Sequence, residues 1–180
     1  MATMAVMSSD SAVDLALLGL LAERPRFASH LVNSVKQVGG DRFTPTAAFV
    51  EGRVAHLLGR GFVEPADSGE RLRVTAAGDV QLSRLLCLEI DPTAVTLQAF
   101  CITLKLSLLH LVGTECRREA VDTLVRAGRR RADRLELAQW SASDGALMER
   151  YMALEQAREA LELRWMQDAM ASEGFGETVA

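Results

Sequence analysis

The sequence holds few cysteines, and none at a spacing that metal or disulfide chemistry requires. Cys87, Cys101 and Cys116 are an odd number, widely separated, with no Cys-x-x-Cys among them. Neither a zinc site nor a disulfide framework can be built from them, and the expectation is buried, reduced thiols in a cytosolic protein. Histidine is equally scarce: His30, His56 and His110 stand far apart and share no metal-ligand spacing. No Gly-x-Ser-x-Gly, paired-carboxylate or phosphate-cradle motif occurs. We therefore expect no catalytic residues, no metal and no cofactor.

Long uncharged runs are missing too. The most apolar stretch, Ala94 to Gly113, is broken by Gln98, Lys105 and His110. A membrane span needs about 20 mostly apolar residues without such a charge near its middle. Met1 to Asp10 has no basic region and no apolar stretch long enough for a signal peptide. A cytoplasmic protein with no membrane partner is expected. Nor is there a large excess of one charge. The formal net charge is −4, so any affinity for nucleic acid must come from a local basic patch.

What is present is an ordinary globular composition, 49% hydrophobic and 24% charged over 180 residues. That excludes disorder throughout and suffices for one large domain or two small ones. Ser11 or Asp14 opens a leucine-rich first helix, which ends before Pro25. Leu31, Val32, Val35 and Val38 mark a second helix from Phe27 to Val38, stopped by Gly39-Gly40. Thr46 caps a third helix reaching Arg60. Its Val50, Val54, Leu57 and Leu58 form a buried stripe, and Ala47, Ala48, Glu51, Arg53 and Ala55 face outward.

Phe62-Val63-Glu64 and Leu72-Arg73-Val74 flank the turn cluster Asp67-Ser68-Gly69-Glu70 and form one hairpin. Thr75 then caps a helix from Ala76 to Glu89. Beyond Asp91-Pro92 the pattern is helical throughout, over 93–112, 115–140 and 146–171. The order of elements predicts a mainly α fold: a winged helix-turn-helix with one short β-hairpin over residues 12–90, an all-helical dimerisation domain over 91–172, and a flexible tail over 173–180.

Particular residues match a known family. Leu17-Leu18-Gly19-Leu20-Leu21-Ala22-Glu23-Arg24-Pro25-Arg26 resembles the opening LLGLLAEGPRHGYEL of PadR-type transcription regulators. Val54, Leu57, Gly61, Phe62, Val63 and Glu64 match the LxxLEEEGLVE that ends the family's recognition helix. Val74-Thr75-Ala76-Ala77-Gly78 matches the LTEAG after the wing, and Leu154, Leu161 and Trp165 lie in a late helix similar to the family's dimerisation helix. The resemblance implies a homodimeric repressor on a two-fold operator in double-stranded DNA, released by a small apolar effector. Two family tyrosines expected near the DNA backbone are replaced here, by Ser29 and Glu51.

A DNA-reading helix must present donors to base edges, flanked by cations for the phosphates. The candidates are Arg42, Thr44, Thr46, Glu51, Arg53, His56 and Arg60, with Arg71 and Arg73 on one face of the hairpin. Arg53 is expected to lie exposed at mid-helix and read a guanine through its paired donors. His56 borders the buried stripe, so packing and DNA contact are both open to it. Glu51 either repels phosphate or accepts a proton from cytosine N4. Residues 12–90 hold nine Lys or Arg against nine Asp or Glu, so the negative excess lies outside the reader.

In the last helix, Leu147, Tyr151, Leu154, Leu161 and Trp165 recur at spacings of three and four, interrupted by Arg158. Met148, Met152, Met166 and Met170 form a row beside them. The combined face is wide enough for two neighbours, which favours a homodimer with Met166 among its contacts; an internal core helix is the other reading. Methionines with Phe100 and Trp165 either line a pocket for a small apolar effector or fill core space. Arg129-Arg130-Arg131 with Arg134 reads as a solvated helix face or a phosphate contact. Two functions therefore stand: a dimeric DNA-binding regulator, or a winged-helix interaction module that acts through a protein partner without binding DNA.

Overall fold

A computed structural model describes residues 5–40, 43–66, 69–91, 93–141 and 145–172. In chain order the elements are β1 (Val6–Met7), α1 (Ser9–Glu23), β2 (Arg26–Phe27), α2 (Ala28–Gly39), α3 (Ala47–Gly59), β3 (Val63–Ala66), β4 (Arg71–Val74), α4 (Ala76–Leu86), β5 (Glu89–Ile90), α5 (Val95–Leu108), a 3-10 turn (Leu109–Leu111), α6 (Thr114–Ser141) and α7 (Gly145–Ser172). The fold is mainly α, a winged helix followed by long helices. Two compact units, Met1–Ala120 and Val121–Ala180, divide the chain.

Helix α1 is the core of the first unit, with Ala12, Val13, Leu15, Leu17, Leu18 and Leu21 all buried. It opens earlier than the expected Ser11 or Asp14. Ser8 is the N-cap, and Ser8 and Ser11 hold each other's backbone N–H groups, at 2.8 Å onto Ser11 Oγ and 3.3 Å onto Ser8 Oγ. This reciprocal cap satisfies two otherwise orphaned donors. Asp14 is thereby placed inside the helix, and buried.

Helices α2 and α3 bury Leu31, Val35, Val50 and Leu57. Leu58, expected on the buried stripe, is 37% exposed. At about 100° per residue it sits well round the helix from Val50, whereas Leu57 returns close to it. The end of α3 is closed by Gly61 at φ +70. There the Gly61 N–H reaches Leu58 O, and the Phe62 N–H reaches Leu57 O, both at 3.0 Å. This is a Schellman closure, and the left-handed backbone it needs favours glycine.

The wing strands β3 and β4 are antiparallel, with Glu64 opposite Arg73 and Pro65 opposite Leu72. The short strand β2 joins them from the far edge in the order β2-β4-β3. Thr75 then links wing to helix: its Oγ1 accepts from the Gly78 N–H at 3.1 Å and donates to Gly61 O at 2.7 Å. A Cβ on Gly78 would lie 2.0 Å from Phe62 O, so only glycine allows α4 to start this close to the wing.

Helix α4 stops at Leu86 rather than Glu89, because Glu89 and Ile90 leave it to pair in parallel with Val6 and Met7. The first unit takes in α5 as well. Phe100 of α5 is buried in it and stacks on Phe43, with centroids 4.7 Å apart. Lys105, the charge that interrupts the apolar run, is fully buried and donates from Nζ to Leu88 O. Among the described residues, no helix is long and apolar enough to cross a membrane.

In the second unit α6 buries Val121, Leu124, Val125 and Ala127, and α7 buries Met166. Gly128 lets the two helices come close: a Cβ there would approach Leu163 Cδ1 and Met166 Cε to 3.2 Å. Arg131 Nη2 lies 2.5 Å from Oε1 of the buried Glu159. Residues 142–144, the expected linker, and 173–180, the expected tail, lie outside the described residues.

Candidate nucleic-acid interface

Thr46 begins the site. Its Oγ1 accepts from the Phe49 N–H at 3.3 Å and fixes where α3 starts. Thr44, Thr46, Ala47 and Ala48 are all exposed at this end, where the first backbone N–H groups of a helix carry partial positive charge. Along the helix, Glu51, Gly52, Ala55, His56 and Gly59 continue the open face. A Cβ on Gly52 or Gly59 would meet nothing within 4 Å. His56 therefore belongs to the open face, and packing beside the stripe is not its role. Arg42 lies outside the described residues.

Arg53 does not face outward. Its Nε donates to Asp14 Oδ1 at 2.8 Å, Nη2 to Asp14 Oδ2, and Nη1 to Asp10 Oδ2 at 2.9 Å. The side chain is only 16% exposed and Asp14 only 9%. The hydrogen bond with Asp14 raises the guanidinium pKa further, against the opposing effect of burial. The cause lies in α1: a buried carboxylate needs a fixed cation, and the planar fork of arginine matches it at two points. Arg53 thus ties α3 to α1 and leaves no free fork for a guanine. The sequence offered Asp14 only as a helix cap, so its pairing across 39 positions was hidden.

In the wing, Arg73 is opposite Glu64 and paired to it, with Nη2 2.7 Å and Nε 2.8 Å from Oε1. Both side chains are at the surface, where such a pair contributes at most about 1 kcal/mol. Arg71 is exposed on the same strand. Arg60, at the C-cap of α3, is exposed and holds its guanidinium 5.7 Å over the Phe62 ring.

The sequence reading missed one exposed group. Phe27, Ala28, Ser29 and His30 lie open at the start of α2, with the Phe27 and His30 rings edge to face at 5.4 Å. An exposed phenylalanine next to a histidine leaves no periodic signal in the sequence.

The expected dimer residues separate into two sets. Leu147, Tyr151, Leu154, Leu161 and Trp165 are 55–81% exposed. At about 100° per residue they fall on one narrow stripe of α7, with Arg158 in line. Met166 is not on it: at 4% exposure it is packed within its own unit. The side chains of Met148 and Met170 lie outside the described set. Of Phe100 and Trp165, read as lining an effector pocket or filling core space, Phe100 is buried against Phe43 and Trp165 is exposed. A cleft in the second unit is lined by Asp122, Val125, Arg126, Arg129 and Gln167, a charged wall unlike an apolar pocket.

No family model and no curated protein matches the chain. Among solved structures, Bacillus subtilis PadR aligns with 95% of this chain and 98% of its own at 13% identity, with a TM-score of 0.40. Its complex with p-coumaric acid aligns over 92% and 99%, also at 13% identity and 0.40.

Proposed function

We propose that this chain is a PadR-like transcription regulator whose winged helix, residues 12–90, engages double-stranded DNA and whose helical region, 91–172, makes it a homodimer. The observation that carries the reading is the open face of α3, where Ala47, Ala48, Gly52, Ala55 and Gly59 leave the backbone bare. A helix so stripped can approach a groove wall closely, and its capped N-terminus can face a phosphate. Arg60 at the end of α3, with Arg71 and Arg73 on the wing, supplies phosphate contacts to either side. Base readout then falls to few side chains, Glu51 and His56, so groove shape and backbone contacts carry most of the affinity.

Titrating a labelled duplex from the gene's own upstream region tests this by fluorescence anisotropy. A dimer should bind it, with affinity falling steeply as salt rises. Absence of binding at low salt to that duplex and to random duplex alike overturns the reading.

A second reading has its own support. Arg53 is committed to Asp14 and Asp10, and the exposed α3 face carries a carboxylate, Glu51. Both features suit a winged-helix module that docks a protein partner through α3 and leaves DNA alone.

A further inference from the structure

Two of the three cysteines meet in space. Cys87 is the C-cap of α4 and Cys116 lies in the first turn of α6. Twenty-nine positions separate them, yet their Sγ atoms are 3.4 Å apart. Both are free and half-buried, whereas Cys101 is buried. Cys116 Sγ also lies 3.4 Å from Ser83 O, one turn back along α4. Cys87 Sγ lies 3.8 Å from Cys116 O. Each thiol is thus held against the other by its own helix terminus, at van der Waals contact, and closure to a disulfide needs an approach to about 2 Å.

We propose that Cys87 and Cys116 form a peroxide-reactive dithiol that closes reversibly into an intramolecular disulfide, joining the helix after the wing to the start of α6. Burial, aided by the hydrogen bond with Cys116 and by the nearby Glu119, pushes the Cys87 thiol up to about 12, and the opening step falls equally to either sulfur, for instance Cys116. Its sulfur bonds to one peroxide oxygen as the O–O bond breaks, the departing hydroxide takes up the thiol proton and leaves as water, and Cys116 becomes a sulfenic acid. Cys87 sulfur then attacks the Cys116 sulfur; the S–O bond breaks, the S–S bond forms, and the Cys87 proton leaves with the oxygen as water. Two thiols lose two electrons, and one peroxide becomes two waters. A thiol reductant reverses the bond by exchange. Cys101 stands apart from this pair: it is buried in α5, and the sulfur–sulfur contact is between Cys87 and Cys116.

Treatment of the full chain with hydrogen peroxide, followed by intact-mass and non-reducing peptide analysis, tests the pairing; diamide serves as a second, two-electron oxidant. The expected product has lost two hydrogens, joins the Cys87 and Cys116 peptides, keeps Cys101 open to alkylation after denaturation, and reverts with dithiothreitol. Cys101→Ser should retain the product, and Cys87→Ser and Cys116→Ser should each abolish it. A bond that involves Cys101, a bond between chains, or oxidation that stops at sulfinic acid without any disulfide would overturn the proposal. The same treatment in urea guards against a misleading positive: pairing there should scatter among all three cysteines, and equal selectivity in the unfolded chain also counts against it.

Discussion

Helices α3 and α7 each leave a face in water, and the two faces are opposite in kind. On α3 the open positions are Ala47, Ala48, Glu51, Gly52, Ala55, His56, Leu58 and Gly59, with Leu58 the one large apolar side chain among them. On α7 they are Leu147, Tyr151, Leu154, Leu161 and Trp165, all more than half exposed. Leaving a large apolar side chain in water forgoes about 1.5–3 kcal/mol relative to burial. The α7 face therefore gains greatly from a lasting apolar partner, whereas the α3 face gains little from being covered. Under the proposed function, α3 is the face for close but reversible approach and α7 the face for lasting association.

Breaking the α7 side of this contrast should give the largest effect. In a two-fold seam a charge enters twice, and the cation in line with it, Arg158, already holds Glu155 at 3.0 Å. Leu154→Glu should therefore weaken the dimer by about 4 kcal/mol, roughly a thousandfold. Sedimentation should then show monomers at micromolar concentration where the parent chain is dimeric. Met166→Ala offers the control. That side chain packs inside its own unit, so its loss should reduce stability by about 2–4 kcal/mol while the remaining folded protein stays dimeric. A dimer indifferent to Leu154→Glu would mean that α7's stripe is not the seam.

The α3 side rests on Arg53. Asp14→Ala would leave a half-buried guanidinium with only the exposed Asp10, and should destabilise the first unit by about 3 kcal/mol in urea unfolding. Asp10→Ala removes the exposed partner alone and should cost less than about 1 kcal/mol. Equal costs for the two would contradict the bidentate pairing as the tie between α1 and α3.

How much of this could be read from the sequence differs between the same two helices. The α7 stripe was legible because a repeat of three and four residues is a one-dimensional signal. The winged-helix order was legible through Pro25, Thr46, Gly61 and Thr75, each of which acts on its immediate neighbours. Arg53 was not legible. Its outward position followed from helical geometry, but a long side chain at the edge of a stripe can swing toward a buried carboxylate, and Asp14 lies 39 positions away. The strand pairs Val6–Glu89 and Arg26–Leu72 were hidden for a related reason: two residues are too few to show an alternation. The contact of Cys87 with Cys116 likewise depends on how two helix ends meet.

Glu51 probes the DNA reading with a smaller change. If its carboxylate faces phosphate, Glu51→Gln should raise affinity for any duplex several-fold, by about 1 kcal/mol, most visibly at low salt. If it accepts from a cytosine, the same change should erase discrimination at one base pair, worth about 1–3 kcal/mol, with non-specific affinity little altered. Unchanged, negligible binding in parent and variant would leave the protein-docking reading of α3.

The smallest expected effect concerns the second unit and its response to pH. Burial raises the pKa of Glu159, Arg131 opposes that rise, and Glu162 and Glu155 add to it. In the unfolded chain the carboxyl returns to about 4.3. Between the unfolded and the folded pKa the native state holds a proton that the unfolded state has lost. Stability from this group is thus fully present below the unfolded pKa and is lost as pH rises through the folded one. Glu159→Gln cannot titrate but keeps an oxygen for Arg131. Urea unfolding of both proteins from pH 4 upward should therefore show the variant gaining on the parent as pH rises, and then levelling off. A gain that appears instead as pH falls would mean that Arg131 dominates, and that the pair stabilises the ionised carboxylate.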